Sequence, residues 1–308
     1  MKAVIALSGL AGLVIFGPPI IKSRSHHHEV SVIVRDAVHV HKAEHVHVSS
    51  DSQSDCRYEA ERSLSSPAGS VRALDLTAGS GSLEVIGVEG LREVRAYGRA
   101  CASHEEFLED LQLTSEMDGS TFVMETHHPR WNGWSGENRY ARLDLRVEVP
   151  VGLAAEILDG SGEIAVSDLG SLRIQDGSGE IVATGIRGDL AIQDGSGEVE
   201  VYGVSGSVEV EDGSGEVVVE DVGANVEIRD SSGELEIRGV AGSVTLMDSS
   251  GGIEVEDVGG SVKVVADSSG DIAVDGVGGD FIVERDGSGG IRFENVDGRV
   301  DIPRKKGR

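Results

Sequence analysis

The chain has 308 residues, with 43 glycines against 6 prolines and only 4% aromatic residues, so Val, Ile and Leu supply most of its apolar character. That mixture suits many short strands joined by glycine turns and leaves little for long helices. Its 54 acidic and 27 basic side chains give a formal net charge of −27, which repels phosphate backbones, excludes nucleic acid as a natural partner and favours cations among small ligands.

Residues 1–25 read as an export signal: Lys2, an apolar run from Ala3 to Ile21 broken by Ser8, glycines and Pro18-Pro19, then Lys22 and Arg24. Ser23 and Ser25 offer small residues before a cleavage point, yet the run is also nearly long enough to span a bilayer, so an uncleaved anchor stays open. Membrane contact is expected through this segment alone. The destination is the periplasm, the cell envelope or the extracellular space. Residues 26–70 hold seven of the ten histidines and many serines, and read as a stalk. Within it, residues 38–48 form a near-palindrome that, folded as a hairpin, sets His39, His41, His45 and His47 on one face as candidate ligands for zinc or a related metal. The alternative is a His-rich segment that binds nothing specific.

Two cysteines, Cys56 and Cys101, suggest one disulfide in an exported chain, with a pair of buried thiols as the alternative. Residues 71–158 read as a capping region. Ala78–Ser82 with Leu83, Val85 and Val88 makes a degenerate first coil. Ser103-His-Glu-Glu106 fits a capping box for a short helix to about Leu111, and Asp118-Gly119 a hairpin turn. The loop from His127 to Tyr140 contains both tryptophans, and Arg130, Trp131, Trp134 and Tyr140 suit either a surface that binds glycan or protein, or a plug over the end of the fold. A strand from Ala141 to Pro150 leads into the repeats.

From residue 159 to 302 the sequence is periodic. Asp-Gly-Ser-Gly or Asp-Ser-Ser-Gly turns start at Asp159, Asp176, Asp194, Asp212, Asp230, Asp248, Asp267 and Asp286. Each is followed by period-2 aliphatic alternation, with strands starting 17 to 19 residues apart from Ile164 to Ile291. A second bend, such as Val204-Ser-Gly206, divides each lap. These features predict an all-β, parallel β-solenoid of about eight 18-residue, two-strand coils behind an N-terminal strand and hairpin cap. Residues 303–308 form a basic tail.

The run Val147-Glu-Val-Pro-Val-Gly152, followed by Asp-Gly-Ser-Gly-Glu-Ile turns and Val-x-Val strands, resembles the bacterial putative-adhesin domain family over about Leu74 to Ile302. The resemblance implies an exported or membrane-attached β-solenoid and carries no catalytic or ligand-binding residues to transfer.

The aspartates should stack one coil apart along an edge, and Asp176, Asp194, Asp212, Asp230 and Asp248 form a candidate cation ladder. Alternatively, each Asp hydrogen-bonds its own turn. No nucleophile, base and orienting group stand together in the pattern, and the Gly-Ser-Gly segments recur as turns without a strand-to-helix elbow. The expected function is therefore a non-catalytic, adhesin-like or envelope scaffold that meets a cell-surface protein or glycan. No cofactor is required in this reading. A protein binding calcium or a transition metal is the alternative, and a carbohydrate-active β-helix enzyme the third reading.

Overall fold

A computed structural model describes the backbone of residues 46–48 and all of residues 56–130 and 139–303. The N-terminal part contains β1 (Val46–Val48), β2 (Tyr58–Pro67), β3 (Ala73–Thr77), β4 (Leu83–Val88), β5 (Glu93–Ala102), α1 (Glu105–Asp110), β6 (Gln112–Asp118), β7 (Thr121–His127) and β8 (Ala141–Pro150). The repeats then alternate between two walls. One wall receives β9 (Ala154–Leu158), β11 (Leu172–Gln175), β13 (Leu190–Asp194), β15 (Val208–Asp212), β17 (Val226–Asp230), β19 (Val244–Met247), β21 (Val262–Ala266), β23 (Phe281–Val283) and β25 (Val300–Asp301). The other receives β10 (Ile164–Ser167), β12 (Ile181–Ile186), β14 (Val199–Val204), β16 (Val217–Val222), β18 (Leu235–Val240), β20 (Ile253–Val258), β22 (Ile272–Val277) and β24 (Ile291–Val296).

Every repeat strand pairs in parallel with the strand one lap before it, and all but the terminal β24 and β25 also with the one after, so the eight coils expected from the turn spacing are present. The pairing stacks like on like: Ile181, Val199, Val217, Leu235, Ile253, Ile272 and Ile291 form one inward row. Period-2 alternation is the cause. In one coil Val199, Val201, Val204, Val208 and Val210 are buried, while Glu200 and Glu209 between them face outward. Branched side chains on two facing sheets interdigitate and exclude water, which supplies the main stabilisation of a rod lacking helices to cover it.

Two details differ from the sequence reading. The residue that lengthens the coil before Asp267 sits in a strand and not in a turn: the register shifts between Leu246 and Met247, whose partners are Val264 and Ala266, so Val265 bulges. A bulge at a strand end disturbs no inward aliphatic position, whereas the corner beyond it is packed backbone to backbone. The spatial order of the first coils also departs from chain order. β7 lies beside β3 and β8 beside β4, both parallel, so these two strands form a lap outside the β3–β4 coil. The chain then steps back past β4 to place β9 next to β3 and β10 next to β4. β5 and β2 continue the wall beyond β8 in antiparallel pairing, and β6 closes the other wall against β7.

Candidate functional site

The corner between β13 and β14, repeated in every coil, carries the aspartates. Asp194, Asp212 and Asp230 stand in direct register, and Asp267 bridges to Asp286. Parallel strands put such positions about 4.8 Å apart. The side chains point into the corner and not out of it: Asp194 is 5% exposed, Asp212 6% and Asp248 1%. Asp159, Asp176, Asp230 and Asp267 are buried likewise. Turn glycines seal the outside. Gly215 has φ +149°, and a Cβ built on it would lie 1.5 Å from the carbonyl oxygen of Gly197 in the coil below.

The expected Asx hydrogen bond forms in one turn type only. In the Asp-Ser-Ser-Gly turns, the amides of Ser232, Ser250 and Ser269 donate to Oδ1 of Asp230, Asp248 and Asp267 at 3.0–3.1 Å. The same serines donate their hydroxyls to carbonyls of the preceding coil. In the four Asp-Gly-Ser-Gly turns from Asp159 to Asp212, both carboxyl oxygens are buried without a hydrogen-bond partner. Amides of the same turns lie near enough to draw these pKa values down a little, but burial outweighs them. Desolvation, with neighbouring Asp charges adding to it, pushes Asp159, Asp212 and Asp248 up to about 6. Asp176, Asp194, Asp230 and Asp267 are raised as well, burial again being the largest cause.

Outside, the two walls present carboxylates gathered around single arginines. Arg229 reaches Glu209 at 3.4 Å, Glu211 at 3.2 Å and Glu227. On the opposite wall Arg238 meets Glu256 at 3.0 Å, Glu220, Glu254 and Glu236. These half-exposed clusters link consecutive coils, each pair weakly.

The cap is held by different chemistry. Cys56 and Cys101 are bonded, with Cα atoms 5.5 Å apart, tying the segment before β2 to the end of β5. Fully buried Arg62, which the sequence reading missed, donates Nε to the Leu111 carbonyl at 2.8 Å and Nη2 to that of Leu108 at 2.7 Å. It thereby satisfies carbonyls at the open end of α1, and burial lowers its pKa to about 10. The capping box does not form: α1 starts after His104 with no side-chain cap. Ser103 turns its hydroxyl elsewhere, accepting from the Tyr140 amide at 3.1 Å. Tyr140 in turn accepts the Arg57 amide on its hydroxyl at 3.0 Å, so it closes the cap beside the disulfide.

No family model matches the chain, and no curated protein matches it. Solved structures do. A "putative cell adhesion protein" from Clostridium sporogenes is 16% identical, with 76% of this chain and 98% of that one covered and a TM-score of 0.33. A "putative adhesin" from Parabacteroides distasonis is 11% identical, covering 79% and 97% at a TM-score of 0.37. Another from Bacteroides fragilis is 11% identical over the same shares, with a TM-score of 0.25.

Of the residues singled out from sequence, Arg130 is exposed just before the segment containing Trp131 and Trp134, which lies outside the described residues. His39, His41 and His45 lie outside them too. The backbone of His47 belongs to β1, opposite Glu59. Among the described residues no three metal-ligating side chains converge on one point. The aspartates of the ladder therefore meet as neighbours in a line.

Proposed function

We propose that the chain is a non-catalytic, exported scaffold of adhesin-like type that presents its rod to a cell-surface protein or glycan. The observation that carries this reading is the continuity of the walls: sheets of 13 and 12 strands run through the cap and all the coils. A stack in which every lap rests on the last is stiff, and each wall repeats its outward side chains at a fixed spacing, as a multivalent display surface requires. The disulfide between Cys56 and Cys101 fits an oxidising compartment outside the cytoplasm.

Immobilised full-length protein, offered native envelope extract and a glycan panel, tests the proposal. Retention of a discrete envelope component is expected, and Trp131→Ala with Trp134→Ala should abolish it without altering the circular dichroism if the loop is the contact. Shortened products released from a polysaccharide would overturn the reading in favour of an enzyme.

A further inference from the structure

The unexplained feature of this molecule is the inside of the Asp corner. A soluble rod has no folding need for a column of buried acids, and an aliphatic residue at each position would extend the core. Asp194, Asp212 and Asp230 stand in direct register, so Asp212 has a like neighbour one coil above and one below. In the four coils from Asp159 to Asp212 neither carboxyl oxygen has a hydrogen-bond partner. Ionised carboxylates so arranged suffer both loss of hydration and mutual repulsion. Something positive must enter the column, or the column must lose its charge.

We infer that the column from Asp159 to Asp267 is a proton-binding site, in which carboxyls take protons from solvent on acidification and share them as O–H···O hydrogen bonds from coil to coil. A protonated carboxyl is at once a donor and an acceptor, so a line of half-protonated acids satisfies the orphaned oxygens using the column's own groups. The rod then tightens in mildly acidic surroundings and loosens in alkaline ones.

The surroundings of the column favour protons over a metal ion. A hard cation such as calcium takes six or more oxygens, and no three ligating side chains converge among the described residues. The glycine turns stack closely, so the corner has little room for a large ligand beside the carboxyls; at Gly197 an added Cβ would fall 1.7 Å from the Gly179 carbonyl oxygen. Nor does another side chain supply the missing charge. The only charged groups acting on the seven aspartates are each other and Asp286; burial is the largest influence and backbone amides of the turns oppose it. Glu163, Glu180, Glu198, Glu216 and Glu234, just beyond the turns, face solvent. At the N-terminal end the row stops at Ala78, the register partner position of Asp159, where the His128 ring covers the Gly79 turn. At the other end it runs into Asp286.

The test is thermal unfolding of the full chain between pH 8 and pH 5 in chelator, beside the Asp194→Asn, Asp212→Asn double variant. Asparagine carries no charge and can hydrogen-bond along the stack. The wild-type midpoint should rise by roughly 5 °C or more on acidification. The double variant should melt higher than wild type at pH 8 and show a smaller rise. Infrared spectra of the wild type at pH 5.5 should contain a protonated-carboxyl stretch that shrinks in the variant. A wild type most stable at pH 8, or a carboxyl band that the substitution leaves unchanged, would overturn the inference. So would calcium restoring the stability lost at pH 8, which would make the column a cation site. If the variant fails to fold, the wild-type melt and infrared band still decide the matter.

Discussion

At the scale of single residues, the corner asks opposite things of its members. Asp must be buried, and the glycine three places on must hold a positive φ while touching the coil below. Gly215, at φ +149° and with no room for a Cβ beside Gly197, shows the second demand most sharply. Gly215→Ala should cost about 2–4 kcal/mol from backbone strain and the clash together, read by chemical denaturation; a loss under about 0.5 kcal/mol would mean that the coils separate easily. The recurrence of Asp-Gly-Ser-Gly made the turn legible from sequence. Burial of the Asp was not legible, because an acidic residue beside glycines reads as a solvated turn. Only strand parity, counted inward from Val208 and Val210 to Asp212, places it inside. A carboxyl whose folded pKa stands above its unfolded value holds its proton more tightly when folded. Its burial thus destabilises at pH 8, and stability is regained as pH falls through about 6 toward 4.

At the scale of elements, the cap is a separate problem from the coils. Its outer pairs β2–β5, β5–β8 and β6–β7 are antiparallel and its helix has one turn and a half, so the disulfide and Arg62 do there what stacked repeats do elsewhere. Arg62→Met keeps the apolar stem and removes the donors to Leu108 and Leu111. It should destabilise by about 2–3 kcal/mol and raise hydrogen exchange first in α1 and β6. Reduction of the Cys56–Cys101 bond, which spans 45 residues, should lower stability by about 4 kcal/mol on the chain-entropy model. Uniform loss of protection across the coils in either case would show that cap and rod unfold as one unit. The cysteines announced their pairing through number and context. Arg62 gave no such signal, since it lies in residues 26–70, which read as a stalk, and an arginine is rarely taken for an inward residue even where it alternates with Ala60 and Leu64 as here. The hydrophobic pattern marked β7 and β8 as strands, but their place outside the β3–β4 coil depends on long-range pairing that no local periodicity carries.

For the whole molecule, the consequence of stacking is that each coil rests chiefly on its two neighbours, so stability should be nearly a sum over laps. The two ends are unequal. At the N-terminus β2, β5 and α1 continue the walls and bury Leu64, Val94 and Leu108. At the far end β24 leaves Phe293 41% exposed, and Ile291, Val296 and Val300 only half-buried. The last lap therefore contributes less apolar burial than any internal one, while the lap beneath it already has a complete inward row in Ile272, Val274, Val277 and Phe281. Deleting residues 285–308 should leave a folded, cooperatively melting protein whose midpoint falls by only about 2–4 °C. Removing one internal lap, residues 213–230, should also preserve the fold, because joining Asp212 directly to Ser231, Ser232 and Gly233 rebuilds an Asp-Ser-Ser-Gly corner ahead of β18. Collapse of the first deletion would show that the terminal coil nucleates the stack. A broad, multi-step melt of the second would show that the laps are not interchangeable, and that the order of Gly-Ser and Ser-Ser corners along the column matters to the rod.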